Sequence, residues 1–197
     1  MNNYFVILGA GKSKRFHKNI AKQFYNYKNK DVIEHSIDKS LSSKFFKKVI
    51  VVVNNPKKIK NKKYSKNITV IKGGKERSES SLLALKYIKK YKPKNVFIHD
   101  AARPNFTKKL LKNLVVNLKN NKAVVPVIKA KDSIKYKIKD NIFNLDNEKA
   151  FLTQTPQAFR YLDLYKLAIQ KKSKISDEAT LFLEKDYKVK FINGENQ

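Results

Sequence analysis

The sequence predicts an α/β fold built on a mostly parallel sheet. Three observations carry that expectation: near-continuous apolar runs of strand length, amphipathic helical segments between them, and glycine- or aspartate-marked loops where the runs end. Strands that alternate with helices pair in parallel through crossovers, and ligands in such sheets sit beyond the carboxyl ends of the strands. The loops at 9–16, 73–80 and 100–105 are all expected near that edge.

Each element follows from local pattern. "NYFVIL" (3–8) is the unbroken apolar run of a strand buried on both faces. "DVIEHSIDKSLSS" (31–43) has Asp31 and Glu34 at capping-box spacing, then places Ile33, Ile37 and Leu41 on one helical face. "KVIVVV" (48–53) and "NITVI" (67–71) read as strands, and "RSESSLLALKYIKKY" (77–91) as a helix presenting Leu82, Leu85 and Ile88. "NVFIH" (95–99) is a strand, "TKKLLKNLVVNLK" (107–119) a helix with Thr107 as N-cap, and "KAVVPVI" (122–128) a further strand.

After Pro126 the rhythm changes. "KDSIKYKIKDNIFNLDNEKAFLTQTP" (131–156) alternates polar and apolar residues around an Asp140-Asn141 turn signal. That is a hairpin with one dry face, an arm at about residues 130–152 that either covers the site or pairs with a second subunit. A helix over 161–170 follows, then one begun by Ser176 with Asp177 and Glu178 in its first turn, then a strand at 187–192. The 197 residues show no repeat or low-complexity linker and read as a single domain.

Composition narrows the chemistry. The absence of cysteine excludes disulfides, thiolate metal sites and a cysteine nucleophile. The apolar run after Met1-Asn2-Asn3 is only about six residues long, and nothing approaches the roughly 18 apolar residues of a membrane span. A cytoplasmic protein is expected. The formal net charge of +29 would suit a nucleic-acid binder. Yet the lysines are spread along almost every segment among asparagines, with no basic tail or RNP-like motif, so a lysine-rich surface explains the charge better and a nucleic-acid partner is not expected. Only Arg15, Arg77, Arg103 and Arg160 are arginines, and three of these stand in short loops, where a planar bidentate fork suits phosphate.

The loops themselves leave alternatives open. "GAGKSKRFH" (9–17) lacks Walker A spacing, because Val6 stands where the first glycine should, and lacks G-x-G-x-x-G because Lys14 takes the third glycine position. A strand running into a glycine turn still lets backbone N–H groups approach a phosphate, with Lys12, Lys14, Arg15 and Lys22 adding charge. Taken alone, the turn serves equally as an ordinary strand end. "HDAARP" (99–104) places Asp100 where it could organise Mg²⁺ and Arg103 where it could meet phosphate, or makes the two a turn former and its ion-pair partner. "GGKERSES" (73–80) is an anion or base-edge site at a helix N-terminus carrying Arg77 and serine hydroxyls, or a glycine turn capped by Ser78 or Ser80.

In order along nearly the whole chain, "GAGKSKRF", "AKQF" (21–24), "GGKERSES", "HDAARP", "QTPQAF" (154–159) and "SDEAT" (176–180) resemble the 2-C-methyl-D-erythritol 4-phosphate cytidylyltransferases of isoprenoid biosynthesis. The resemblance implies a Rossmann-like nucleotidyltransferase fold, a homodimer built through a protruding β-arm, and Mg²⁺-dependent transfer of CMP from CTP to the substrate phosphate with release of pyrophosphate. It implies that Gly9, Ala10 and Gly11 hold CTP phosphates and that Arg15 and Lys22 act at the reacting phosphates. Gly74, Lys75 and Ser80 would recognise the cytosine or support its loop. Asp100, Ala101 and Arg103 would face ribose, metal and substrate, with Ser133 (from the partner's arm) and Thr155 touching the methylerythritol phosphate. His17, His35 and His99 are expected to be structural, since an anionic phosphate nucleophile needs no strong general base.

The chain departs from the family at five places. Ala21 stands where proline is usual, Lys75 for an acidic residue, Ser133 for threonine, and Asn147 for an arm arginine that grips substrate phosphate, leaving Lys135 or Lys149 to compensate. Beyond "GENQ" the family has a strand with a substrate-phosphate lysine and a closing helix, so this chain is expected to be part of a longer protein, such as a fusion with a second enzyme of the pathway. A sister activity on another polyol phosphate, such as ribitol 5-phosphate, differs only in the arm and C-terminal contacts.

Overall fold

The computed structural model describes residues 2–11, 21–59, 68–171 and 175–195. Strand β1 (Asn3–Gly9) is buried throughout, as its apolar run requires. A short ribbon, β2 (Asn26–Tyr27) and β3 (Lys30–Asp31), leads into helix α1 (Val32–Ser42). The expected capping box is formed, with Glu34 accepting from the Asp31 backbone N–H at 3.0 Å. Then come β4 (Lys48–Val53), β5 (Ile68–Lys72), α2 (Arg77–Ile88), β6 (Asn95–Asp100) and α3 (Lys108–Asn117). Thr107 caps α3 by accepting from Leu110 N–H at 3.1 Å. The chain continues through β7 (Ala123–Lys129), β8 (Ile134–Ile138), β9 (Asn141–Leu145), β10 (Phe151–Thr153) and β11 (Gln157–Arg160). Helices α4 (Tyr161–Gln170) and α5 (Ala179–Leu183) and strand β12 (Lys190–Asn193) complete it.

The main sheet runs β5–β4–β1–β6–β11–β7, with β10 and β12 also bonded to β7. Strands β5, β4, β1 and β6 are parallel. Alternation along β1 sends Phe5 and Ile7 to the face covered by α1 and α3, where they meet Ile33, Ile37, Leu110 and Leu111. Tyr4, Val6 and Leu8 go to the other face, with Leu85, Ile88, Leu164 and Phe182 of α2, α4 and α5. Burial on both faces forces one register. Gly9 pairs with Val53 and Leu8 with Asp100, so the turns after β1, β4 and β6 start at the same edge.

Several expectations are corrected. Within the expected mostly parallel sheet an unexpected strand, β11, inserts antiparallel between β6 and β7. It is only four residues long and opens on a glutamine, which leaves little strand signal. Helix α2 ends at Ile88, and a 3₁₀ turn over Lys89–Tyr91 closes on Lys92 in the left-handed region. The hairpin turn is Lys139-Asp140, not Asp140-Asn141, since Ile138 pairs with Asn141 and Lys139 takes the positive φ of 51°. The hairpin β8–β9 closes only on itself, whereas β10, expected in the arm, returns to the main sheet against β7. Helix α5 starts at Ala179 and its first turn is held by Asp177, which accepts from Thr180 N–H at 3.1 Å, instead of by Ser176. Among the described residues no helix is long and apolar enough to cross a membrane.

Candidate active site

A cleft of about 330 Å³ opens at the carboxyl ends of β1 and β6. Its walls are the turn after β1 (Ala10, Gly11), the 3₁₀ turn carrying Lys22, the loop into α2 (Gly74, Lys75, Ser80) and the turn after β6 (Asp100, Ala101, Arg103). Loops far apart in sequence thus meet because the parallel strands feeding them end level. Arg15, Lys12, Lys14 and His17 lie outside the described residues. Gly9 sits beneath the wall: a Cβ there would come within 3.0 Å of Ile33 and 3.3 Å of Ala101 and Val53, so the strand end is packed tightly around it. Gly11 borders the cleft, and a Cβ would meet none of the described residues within 4 Å.

The turn after β1 is anchored from behind. Gln23 donates through Nε2 to the carbonyls of Gly9 (2.6 Å) and Gly11 (2.9 Å), and Asn54 donates to the carbonyl of Ala10. The α2 loop lies hard against this turn, since a Cβ on Gly73 would fall 2.4 Å from that of Ala10. Ser80 pins that loop, accepting from Gly74 N–H at 3.1 Å and donating to the Glu76 carbonyl at 3.0 Å. Ser80 is therefore a brace of its own loop, and the Lys75 backbone is held by Glu79 at 2.7 Å.

The opposite wall is an ion-pair network that the sequence did not disclose. Arg77 donates from Nε to Asp100 Oδ1 at 2.9 Å, and from both terminal nitrogens to Glu178 at 3.0 Å each. Glu178 is buried, so its charge requires this bidentate partner. Burial opposes the guanidinium's charge, but Glu178 and Asp100 outweigh it and hold the pKa above its ordinary value. Arg77 is thus spent on carboxylates, and the cleft cation of the "HDAARP" loop is Arg103, half-exposed with Nε 3.8 Å from Asp100 Oδ2. Glu178 was legible only as a member of "SDEAT". Arg160, the remaining described arginine, bonds the Lys119 carbonyl and Asn95 away from the cleft.

Two expected site residues lie elsewhere. Thr155 is buried behind Asp100: its hydroxyl accepts from Asp100 N–H at 3.2 Å and lies 3.1 Å from His99 Nδ1. His99, fully buried, bridges Thr155 and Ser36 and packs against Phe5 and Phe106. Burial drives its pKa down to about 3, which keeps it neutral and fits a structural role. His35 likewise bonds the Tyr27 carbonyl at 2.7 Å. Ser133 stands exposed at the base of the hairpin, bonded to Lys135 and Asn144. No residue of β8 or β9 is among the described residues that line the cleft.

A metal at this wall would find few protein ligands. Among the described residues no cluster of three or more potential ligands forms. Asp100 lines the cleft with Oδ1 held by Arg77 and Oδ2 3.8 Å from Arg103 Nε. A single carboxylate suits Mg²⁺ held mainly by substrate phosphates and water.

A sheet edge where a glycine turn, lysine and arginine side chains and a carboxylate converge is an α/β site suited to anionic ligands. The chain belongs to the 2-C-methyl-D-erythritol 4-phosphate cytidylyltransferase family, which it matches over residues 4–197. It is 48% identical over 196 residues to the bifunctional enzyme IspD/IspF of Pelagibacter ubique, covering 99% of this chain and 53% of that protein, about half its length. It is 36% identical to the 2-C-methyl-D-erythritol 4-phosphate cytidylyltransferase of Thermosipho melanesiensis, covering 98% and 89% of the two chains. Its fold is similar to the 4-diphosphocytidyl-2C-methyl-D-erythritol synthase of Anaerococcus prevotii (TM-score 0.85, 26% identity, 98% and 87% covered). It is equally similar to the bifunctional IspDF of Campylobacter jejuni (TM-score 0.85, 30% identity, 99% and 50% covered).

Proposed function

We propose that this chain transfers CMP from CTP to 2-C-methyl-D-erythritol 4-phosphate, giving 4-diphosphocytidyl-2-C-methyl-D-erythritol and pyrophosphate. The observation that carries the reading is the convergence of Gly11, Lys22, Asp100 and Arg103 on one cleft at the end of β1. The nucleophile is a phosphate monoester oxygen, anionic at neutral pH, which attacks the α-phosphorus in line with the departing pyrophosphate. No general base is needed, and neutral His99 is not positioned to be one. The barrier is charge accumulating on phosphorus and repulsion between two anions, which cations fixed in place reduce without reorganising.

In this reading the turn at Gly9, Ala10 and Gly11 cradles the triphosphate, and Arg15 and Lys22 stabilise charge at the reacting phosphates. The loop of Gly74, Lys75 and Ser80 seats the cytosine. Asp100 and Ala101 take the ribose side, with Asp100 the residue that would hold Mg²⁺, an ion that supplies neutralisation of phosphate charge. Arg103 takes the substrate phosphate. Thr155 acts from behind, keeping Asp100 in place. The exposed hairpin side chains Tyr136, Ile138, Ile142 and Phe143 suit a homodimer in which Ser133 of the arm reaches the neighbouring site. Cytoplasmic operation accords with these water-borne substrates.

Phosphorus NMR of the protein with CTP, Mg²⁺ and each acceptor tests the assignment. The expected result is conversion of the methylerythritol monophosphate signal into a diphosphate diester, with ribitol 5-phosphate left unchanged. Conversion of ribitol 5-phosphate alone would move the protein to the sister activity.

A further inference from the structure

Gln23 is buried at the back of the cleft and carries no charge, yet it bonds two carbonyls of the turn after β1. Both partners are pure acceptors, so its amide nitrogen must face them. With Asn54 on Ala10, the three successive carbonyls of Gly9, Ala10 and Gly11 are all engaged by side-chain amides. A carbonyl oxygen turned into an anion site repels the ligand, while the N–H of a peptide unit whose carbonyl is held back is available to it. Glycine-rich turns flip peptide planes easily, so such a cradle needs an external anchor. Gln23 also follows Lys22 in the same 3₁₀ turn, so one amide fixes both the backbone cradle and the base of the lysine.

We infer that Gln23, seconded by Asn54, is the positioning residue of a polyphosphate cradle, engaging the carbonyls of residues 9–11 so that they do not meet the anion. The inference rests on the proposed binding of CTP and names what makes that binding specific for the triphosphate portion. It assigns Gln23 no contact with the ligand.

The test is calorimetric titration of the wild type, Gln23→Met, Gln23→Glu and Asn54→Ala with CTP, inorganic tripolyphosphate and cytidine, beside thermal unfolding of each. Gln23→Met should weaken tripolyphosphate and CTP about tenfold, roughly one lost oriented hydrogen-bonding network, while cytidine affinity stays within twofold. Gln23→Glu, isosteric but repelled by the same carbonyls, should weaken them further, and Asn54→Ala less than either. Equal losses for cytidine and tripolyphosphate, or unchanged tripolyphosphate affinity in folded Gln23→Met, would overturn the inference and leave CTP binding intact. Should Gln23→Met not fold, the same comparison on Asn54→Ala decides. Wild-type protein that binds no CTP would overturn the proposed function, and this inference with it.

Discussion

The cleft and the β8–β9 hairpin solve opposite problems. At the cleft, polar and charged groups that would be costly to bury alone are tied to one another within the chain: Gln23 to the glycine turn, Arg77 to Glu178 and Asp100, Thr155 to His99. At the hairpin, apolar side chains that would gain from burial are left in water, with Ile142 71% and Ile138 55% exposed. A stacked Tyr136–Phe143 pair lies on the same face as Ile138, whereas Ile142 stands opposite Lys137 on the other face. The described cleft contacts close within one chain, while the exposed apolar hairpin residues suit the proposed second surface.

If that contrast holds, breaking the cleft's ties should cost far more than altering the hairpin. Arg77→Met leaves the buried Glu178 carboxylate unpaired and should destabilise the protein by about 3–5 kcal/mol, read by urea unfolding. The double change Arg77→Met with Glu178→Met should recover most of that loss, because a well-packed apolar pair replaces the ions. It should not recover turnover, because Asp100 has lost its orienting partner. Recovery of both would reduce the network to a structural staple.

Lys22→Ala should lower kcat about 10²–10³-fold with an unchanged melting temperature, the scale of removing one charge-stabilising donor. Unaltered turnover would remove Lys22 from the reacting phosphates.

A smaller effect is expected from acid. His99 is held near pKa 3 when folded, against about 6.5 when unfolded. Its neutral burial therefore contributes fully above about pH 6.5. That contribution is lost at up to about 1.4 kcal/mol per pH unit as pH falls toward 3. His99→Gln should show a shallower decline over that window in pH-dependent unfolding, and an identical slope would contradict the assignment.

Smallest for the fold, and sharpest for the comparison, is Ile138→Lys, on the face of the Tyr136–Phe143 pair. Stability of the isolated chain should move by no more than about 0.5 kcal/mol, while sedimentation should show a dimer weakened or lost. A dimer unaffected by this charge would place the second surface elsewhere.

Much of this was legible in the residues. The strands β1, β4 and β6 announce themselves by unbroken apolar runs, and the caps at Asp31 and Thr107 by short-range chemistry that tertiary context had no reason to override. The loops gathered at the cleft followed from the parallel order of those strands. What failed to show was long-range. Strand β11 is too short to carry a pattern and exists because β6 and β7 offer it two edges. Arg77 looked like a phosphate cation because its partner Glu178 lies 101 residues away. Gln23 and Asn54 bond backbone carbonyls, which no side-chain motif reveals. The polar–apolar alternation at 131–145 gave the strands correctly, but periodicity says which residues share a face and nothing about what covers it.

The central claim is that the cleft activates CTP toward a phosphate nucleophile. Its most direct test is the rate of pyrophosphate release from CTP and Mg²⁺ as methylerythritol phosphate is added. Release should depend on and saturate with that acceptor and fall about 10²–10³-fold in Lys22→Ala. Release independent of any acceptor, or none at all from folded protein that binds CTP, would contradict it.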